Sequence, residues 1–175
     1  MRNVFWLTVA VVFGSAAIAA LTVGAAAVHA SFQDPLAPQL PVPRFVTLAS
    51  NQVNVRTGPG LRYPITVVLK KEGLPVEIVK QFNGWRKIRD KDGDEGWVFR
   101  DLLSGKRAVI IIGGEHVMRD DPAADSRPVV KLETGVIAEL DRCTEGWCRI
   151  RIAGYGGWVE RRNVWGVLPE ETFKK

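Results

Sequence analysis

From residue 46 onward, apolar and polar positions alternate in short runs, and no stretch keeps a helical period of useful length. Val76 and Ile78 alternate toward one face, as do Ile88 and, after the next turn, Val98. Turn chemistry punctuates these runs. Pro59-Gly60, Asn83-Gly84 and Asp92-Gly93 are turn pairs, and Asn-Gly is the preferred two-residue hairpin loop. The pattern predicts an all-β chain in which five or so short strands recur within about sixty residues. Strands so short and so few bury an adequate core only by curling into a small barrel.

The pattern occurs twice. "NGWRKIRDKDGDEGWV" begins at Asn83, and "EGWCRIRIAGYGGWV" begins at Glu145. The wider overlay pairs Arg56 with Arg119, Pro59 with Pro122, Gly84-Trp85 with Gly146-Trp147, and Ile88 with Ile150. It also pairs Gly96-Trp97-Val98 with Gly157-Trp158-Val159, and Arg100 with Arg161. Two copies of this length mean two small similar domains rather than a solenoid. The predicted organisation is a signal segment at 1–30, a proline-rich linker at 31–45, and domains at 46–112 and 113–175. Each domain is small enough that packing against its twin would stabilise it.

Strand parity assigns the repeated tryptophans. Counting by twos from Ile88 leaves Trp85, Lys87 and Arg89 on the opposite face. From Ile150, the same count puts Trp147, Arg149 and Arg151 together, away from the core. Trp97 and Trp158 are also expected opposite the core valines Val98 and Val159. Exposed indoles beside cations make a stacking and cation-binding surface. A bulge in these strands would reverse the parity and turn the rings into core packing. Trp165 has no counterpart and is expected to pack at the C-terminal edge. Arg56, Arg119, Arg100 and Arg161 flank the repeated turns; they either bond loop carbonyls or hold a ligand carboxylate.

Cys143 and Cys148 are the only cysteines. A two-residue loop at Glu145-Gly146 would set them opposite each other as a non-hydrogen-bonded pair, where a disulfide fits. The alternative is two free thiols. The N-terminus favours an oxidising compartment: Arg2 is the only charged side chain before Asp34, and a long apolar stretch ends in small residues. This predicts a cleaved leader and a periplasmic or secreted protein. The alternative is an inner-membrane anchor through residues 4–28, the one way a membrane enters the picture. Four prolines, from Pro35 to Pro43, then make an extended tether.

The net charge of +5 is modest and interspersed with acids. It permits attraction to an acidic envelope polymer, and without a basic run nucleic acid is not an expected partner. No nucleophile sits in a triad context, so no catalytic residue and no cofactor are expected. The acids at Asp90, Asp92 and Asp94 lack the glycine placement of a calcium loop, and the second copy makes this turn without acids, so no metal is expected.

The motifs "VNVRTGPG", "YPITVVLKK", "NGW" and "GDEGWVFRDLL" together resemble a bacterial SH3 (SH3b) domain, and the second copy resembles it less closely. The resemblance covers nearly all of residues 48–167. It implies a five- to six-stranded barrel in each half and binding rather than catalysis, commonly of cell-wall peptides or envelope proteins. With the tether and "CTEGWC", the chain resembles small exported tandem SH3b proteins of Gram-negative bacteria. In related eukaryotic domains, a tryptophan matching Trp85 and Trp147 lines the peptide groove. The expected function is therefore non-enzymatic recognition of a peptidoglycan stem peptide or an envelope-protein peptide, mainly by the first barrel. Trp85 would stack on the ligand, Tyr63 and Trp97 would wall the groove, and Lys87 or Arg89 would attract acidic groups; Trp147 and Trp158 are the second-copy counterparts. The alternative is a structural adaptor without a small ligand, and a cell-wall hydrolase would require a catalytic constellation. In the second copy "RTGPG" becomes "RDDPA", and loss of the glycines is expected to alter the backbone angles of that loop.

Overall fold

A computed structural model describes residues 40–172. The expected leader and most of the tether lie outside the described residues. Within them the chain forms two antiparallel seven-stranded sheets. The first contains β1 (Arg44–Leu48), β2 (Val53–Arg56), β3 (Ile65–Leu69), β4 (Pro75–Phe82), β5 (Trp85–Arg89), β6 (Glu95–Phe99) and β7 (Leu103–Ser104). The second contains β8 (Ala108–Ile111), β9 (His116–Arg119), β10 (Pro128–Leu132), β11 (Ile137–Cys143), β12 (Trp147–Ile152), β13 (Tyr155–Glu160) and β14 (Val164–Trp165). Strand order is β3-β2-β6-β5-β4-β1-β7 in one and β10-β9-β13-β12-β11-β8-β14 in the other, the same topology twice. The chain is all-β, two SH3-like barrels in tandem; the described helices are single 3-10 turns at Arg100–Leu102 and Arg161–Asn163. No described helix is long and apolar enough to cross a membrane.

Alternation decides what fills each barrel. Val53, Val55, Val76, Ile78, Ile88 and Val98 meet inside the first with Val46 and Leu48. Met118, Leu132, Leu140, Ile150 and Val159 meet inside the second with Val109 and Ile111. Closure depends on a glycine in each. A Cβ on Gly96 would lie 2.2 Å from Val55 Cγ1, and one on Gly157 would lie 2.6 Å from the Arg119 carbonyl oxygen. These glycines let β6 cross against β2, and β13 against β9.

The sheets divide between Ser104 and Ala108, so β8 pairs within the second sheet. The run Ala108–Ile111 lacks alternation because both of its faces are covered: all four residues are buried. Val109 and Ile111 enter the second core, while Ala108 and Ile110 are buried outside it. Ile110 is the cross-strand partner of Trp165, whose ring meets Phe45 of the first barrel edge-to-face at 4.8 Å. Trp165 therefore packs between the barrels as well as at the C-terminal edge. Just before β1, Gln81 Nε2 donates to the Leu40 carbonyl at 2.7 Å, and Arg44 donates to the Leu40 and Pro41 carbonyls.

Candidate functional site

The site follows from hairpin register. β4 and β5 are joined through Asn83-Gly84, with Asn83 at φ 49°, so Phe82 faces Trp85 across the turn. On its other side Trp85 faces Phe99 of β6, their rings edge-to-face at 5.5 Å. Cross-strand partners share a face, so Phe82, Trp85 and Phe99 form an aromatic row across three strands. Trp85 is partly exposed and lies outside the core; Phe82 and Phe99 are 52% and 38% exposed. The irregularity in β4 falls between Ile78 and Lys80, not in β5, so the parity of Trp85, Lys87 and Arg89 stands.

The next row on this face is Lys80, Lys87, Trp97 and Arg56. Trp97 lies outside the valine and isoleucine cluster of the first barrel, yet it is buried, only 9% exposed. Trp158 is likewise outside the apolar cluster of the second barrel but buried, only 6% exposed. The expectation that these two rings are open to solvent is therefore corrected. Parity fixes which side of the sheet a ring takes, not how far neighbouring side chains cover it. In the second barrel the Arg142 guanidinium lies over the Trp158 ring, 5.0 Å from its centroid.

Lys87 and Arg89 are already engaged. The Lys87 ammonium pairs with Glu95, and Arg89 donates to Glu95 at 2.7 Å and to Glu77 at 3.2 Å. Hydrogen bonds from Lys87, then Arg89, hold the Glu95 carboxyl below the usual glutamate range. Arg56 donates to the carbonyls of Tyr63 (2.8 Å) and Leu61 (3.2 Å), and Arg119 donates to that of Ser126. Both arginines thus serve loop carbonyls, and Arg56 ties the Tyr63 loop to the strand position opposite Trp97. The Tyr63 ring lies under the Arg62 guanidinium and packs on Gly58 and Gly60. A Cβ on Gly58 would sit 2.5 Å from that ring, and neither glycine has positive φ. These glycines supply space for Tyr63 rather than special backbone angles. The second copy, with Asp121 and Ser126 and no tyrosine, closes its loop by a bond from the Asp121 N–H to Ser126 Oγ.

Around Trp147 the chemistry changes. Cys143 and Cys148 face each other and form a disulfide, both sulfurs inside the second core. Thr144 replaces Phe82 at the turn, and the partner of Trp147 on β13 is Glu160 instead of a phenylalanine. Trp147 is partly exposed in an open cleft of about 620 Å³ lined also by Glu145, Glu160, Arg161, Val167 and Pro169. Arg161 donates to the carbonyls of Thr144 and Glu171. Phe82 and Phe99 are not among the residues expected at this site. Pairing Phe82 with Trp85 across Asn83-Gly84, and counting two from Trp97 to Phe99, would have placed both on the face of Trp85.

Asp90 uses its carboxylate locally, accepting from the N–H groups of Asp92 and Asp94. Among the described residues no group of three or more His, Cys, Asp or Glu is placed to hold a metal.

Comparison with known proteins adds relatives. The chain is 30% identical over 128 residues to the "Putative N-acetylmuramoyl-L-alanine amidase YrvJ" of Bacillus subtilis (strain 168), covering 67% of this chain and 24% of that protein. It thus spans about a quarter of the length of that relative. Among solved structures, NlpC2 from Trichomonas vaginalis is similar over 73% of this chain and 49% of its own, at 17% identity and a TM-score of 0.33. An NlpC/P60 family protein from Bacillus cereus ATCC 10987 is similar over 69% of this chain and 55% of its own, at 10% identity and a TM-score of 0.32. The bacterial SH3 domain family matches twice, over residues 49–105 and 113–166, one match on each sheet. Two matches on two sheets of one topology account for the duplicated sequence: the chain belongs to the bacterial SH3 domain family and carries the domain in tandem.

Proposed function

We propose that this chain is a non-enzymatic exported binding module that takes up a cell-wall stem peptide or an envelope-protein peptide on the aromatic face of its first barrel. The observation that carries this reading is the row Phe82–Trp85–Phe99: three aromatic side chains aligned across neighbouring strands, two of them exposed. A solvent-facing aromatic row on a small domain marks a recognition surface, because rigid rings give contact area at little entropic cost. Trp85 stacks on the ligand, and Tyr63, on the loop tied to β2 by Arg56, flanks the neighbouring row. Trp97 acts from beneath, supporting Lys87. Lys87 and Arg89 meet an acidic ligand group by exchanging Glu95 for it. Trp147 supplies the corresponding ring in the second barrel, and Trp158 lies below its cations. The similarity to a protein named as an N-acetylmuramoyl-L-alanine amidase supports a cell-wall setting for these domains.

The test is sedimentation with purified peptidoglycan sacculi. Wild-type protein is expected to co-sediment, and Trp85→Ala to stay in the supernatant with its unfolding transition nearly unchanged. Failure of the wild type to sediment, with recovery of one stoichiometric protein partner, would replace this reading with the structural adaptor. Release of soluble wall fragments by the pure protein would show it to be an enzyme.

A further inference from the structure

The outer face of the second barrel carries a charge arrangement that the first barrel neutralises. Arg142 of β11 and Arg149 of β12 are direct cross-strand partners, and Arg149 is in turn the partner of Trp158, followed by Arg119. Like charges set opposite each other on a sheet repel. The first barrel has lysines at both matching positions, Lys80 and Lys87, and quenches Lys87 with Glu95. Glu95 is the partner of Arg89; the corresponding partner of Arg151 is Gly156. The compensating acid is missing from the second copy.

The carboxylates of the neighbouring strand positions pair elsewhere. Glu139 and Asp141 both pair with Arg151, and Glu160 pairs with Arg162. Among the described residues neither Arg142 nor Arg149 is in an ion pair. Arg142 also reaches across β12 to lie over Trp158 on β13, which brings its guanidinium over the strand that carries Arg149. The buried indole holds the Arg142 guanidinium, and the cross-strand partner of Arg142 is a second exposed arginine, Arg149. Two such forks with no internal acid are an oxyanion receptor, since guanidinium offers paired donors matched to carboxylate and phosphate oxygens.

We infer that Arg142, seated on Trp158, and its cross-strand partner Arg149 bind a single oxyanion, a carboxylate or phosphate group, at a site absent from the first barrel. Recognition by the first barrel and occupancy here are independent. The experiment follows the Trp158 indole N–H of the full chain by NMR during titration with sodium acetate and, separately, inorganic phosphate, each against sodium chloride of matched ionic strength. A saturable shift is expected with at least one anion. Response to acetate alone identifies a peptide-type carboxylate, response to phosphate alone a phosphate ester, and response to both the shared oxyanion chemistry. Arg149→Gln is expected to weaken the apparent affinity about tenfold.

Gly156→Glu installs the first barrel's solution. A Cβ there makes only ordinary contacts, 3.7 Å to Arg151 Cγ and 4.0 Å to the Ile150 carbonyl oxygen. This variant is expected to lose the titration and to melt higher than Gly156→Gln, which keeps the size without the charge and retains binding. Trp85→Ala is expected to titrate normally, so loss of sacculus binding and loss of this site are separable. No saturable movement with either anion in the wild type, or equal affinity in wild type, Arg149→Gln and Gly156→Glu, overturns the proposal.

Discussion

At the scale of single residues, the repeated glycines and tryptophans divide the labour between closure and display. Gly157 lies where a methyl group would meet a backbone carbonyl at 2.6 Å, and backbone in a paired strand has little room to move. Gly58 faces a comparable conflict at 2.5 Å, but with the ring of Tyr63, a side chain on a surface loop. Gly157→Ala is therefore expected to cost about 1–3 kcal/mol, and Gly58→Ala clearly less, as measured by urea denaturation midpoints. The tryptophans show how far parity carries. It puts Trp85 on the face of Lys87 and Trp147 on the face of Arg149, and both rings are partly exposed, whereas Trp97 and Trp158 on those same faces are buried. It cannot say that Arg142 covers one of those rings, since that contact bridges residues on different hairpins.

At the scale of elements, two connections beyond the strands hold the second barrel. One is the Cys143–Cys148 clamp on the β11–β12 turn, which holds the hairpin that presents Trp147. The other is the C-terminal segment. Arg107, on the connection between the sheets, makes a two-pronged pair with Glu171 and also donates to the Gly166 carbonyl at 2.9 Å. Burial of Glu171 pushes its pKa up and is the largest single influence. The Arg107 bonds, the Leu168 N–H and the Arg161 charge together outweigh it, leaving the carboxyl below its ordinary value. A carboxyl with a lower pKa in the folded state stabilises fully above its unfolded value, and that stability fades as pH falls through the folded one. Wild type is expected to melt above Glu171→Gln near neutral pH, with the gap closing only below the ordinary glutamate range. A melting-temperature series against pH checks this; a gap independent of pH would count against the latch. The turn residues that start these hairpins were legible from sequence, but the Arg107–Glu171 pair joins positions with no local pattern between them.

At the scale of the whole molecule, the question is why two marginal barrels stand together. Each core is small, and the apolar strand β8 is covered on one side by the second core. Phe45, at the start of the first barrel, is 7% exposed and meets Trp165 at the end of the second. Phe45→Ala is expected to cost about 3 kcal/mol. It is also expected to split a single thermal transition into two in calorimetry, because this contact ties the first strand of one sheet to the last strand of the other. One undivided transition at the wild-type temperature would show that the barrels are held otherwise.

The sequence by itself determined the all-β class, the duplication and the hairpin turns, and it set the two cysteines opposite each other across one of those turns. All of these rest on a period of two and on local turn chemistry, which are properties of neighbouring residues. Tertiary structure alone decided that β8 belongs to the second sheet, that Trp97 and Trp158 are covered, and that Phe45 meets Trp165. Those outcomes depend on contacts between strands distant in the chain, whose partners no local pattern specifies.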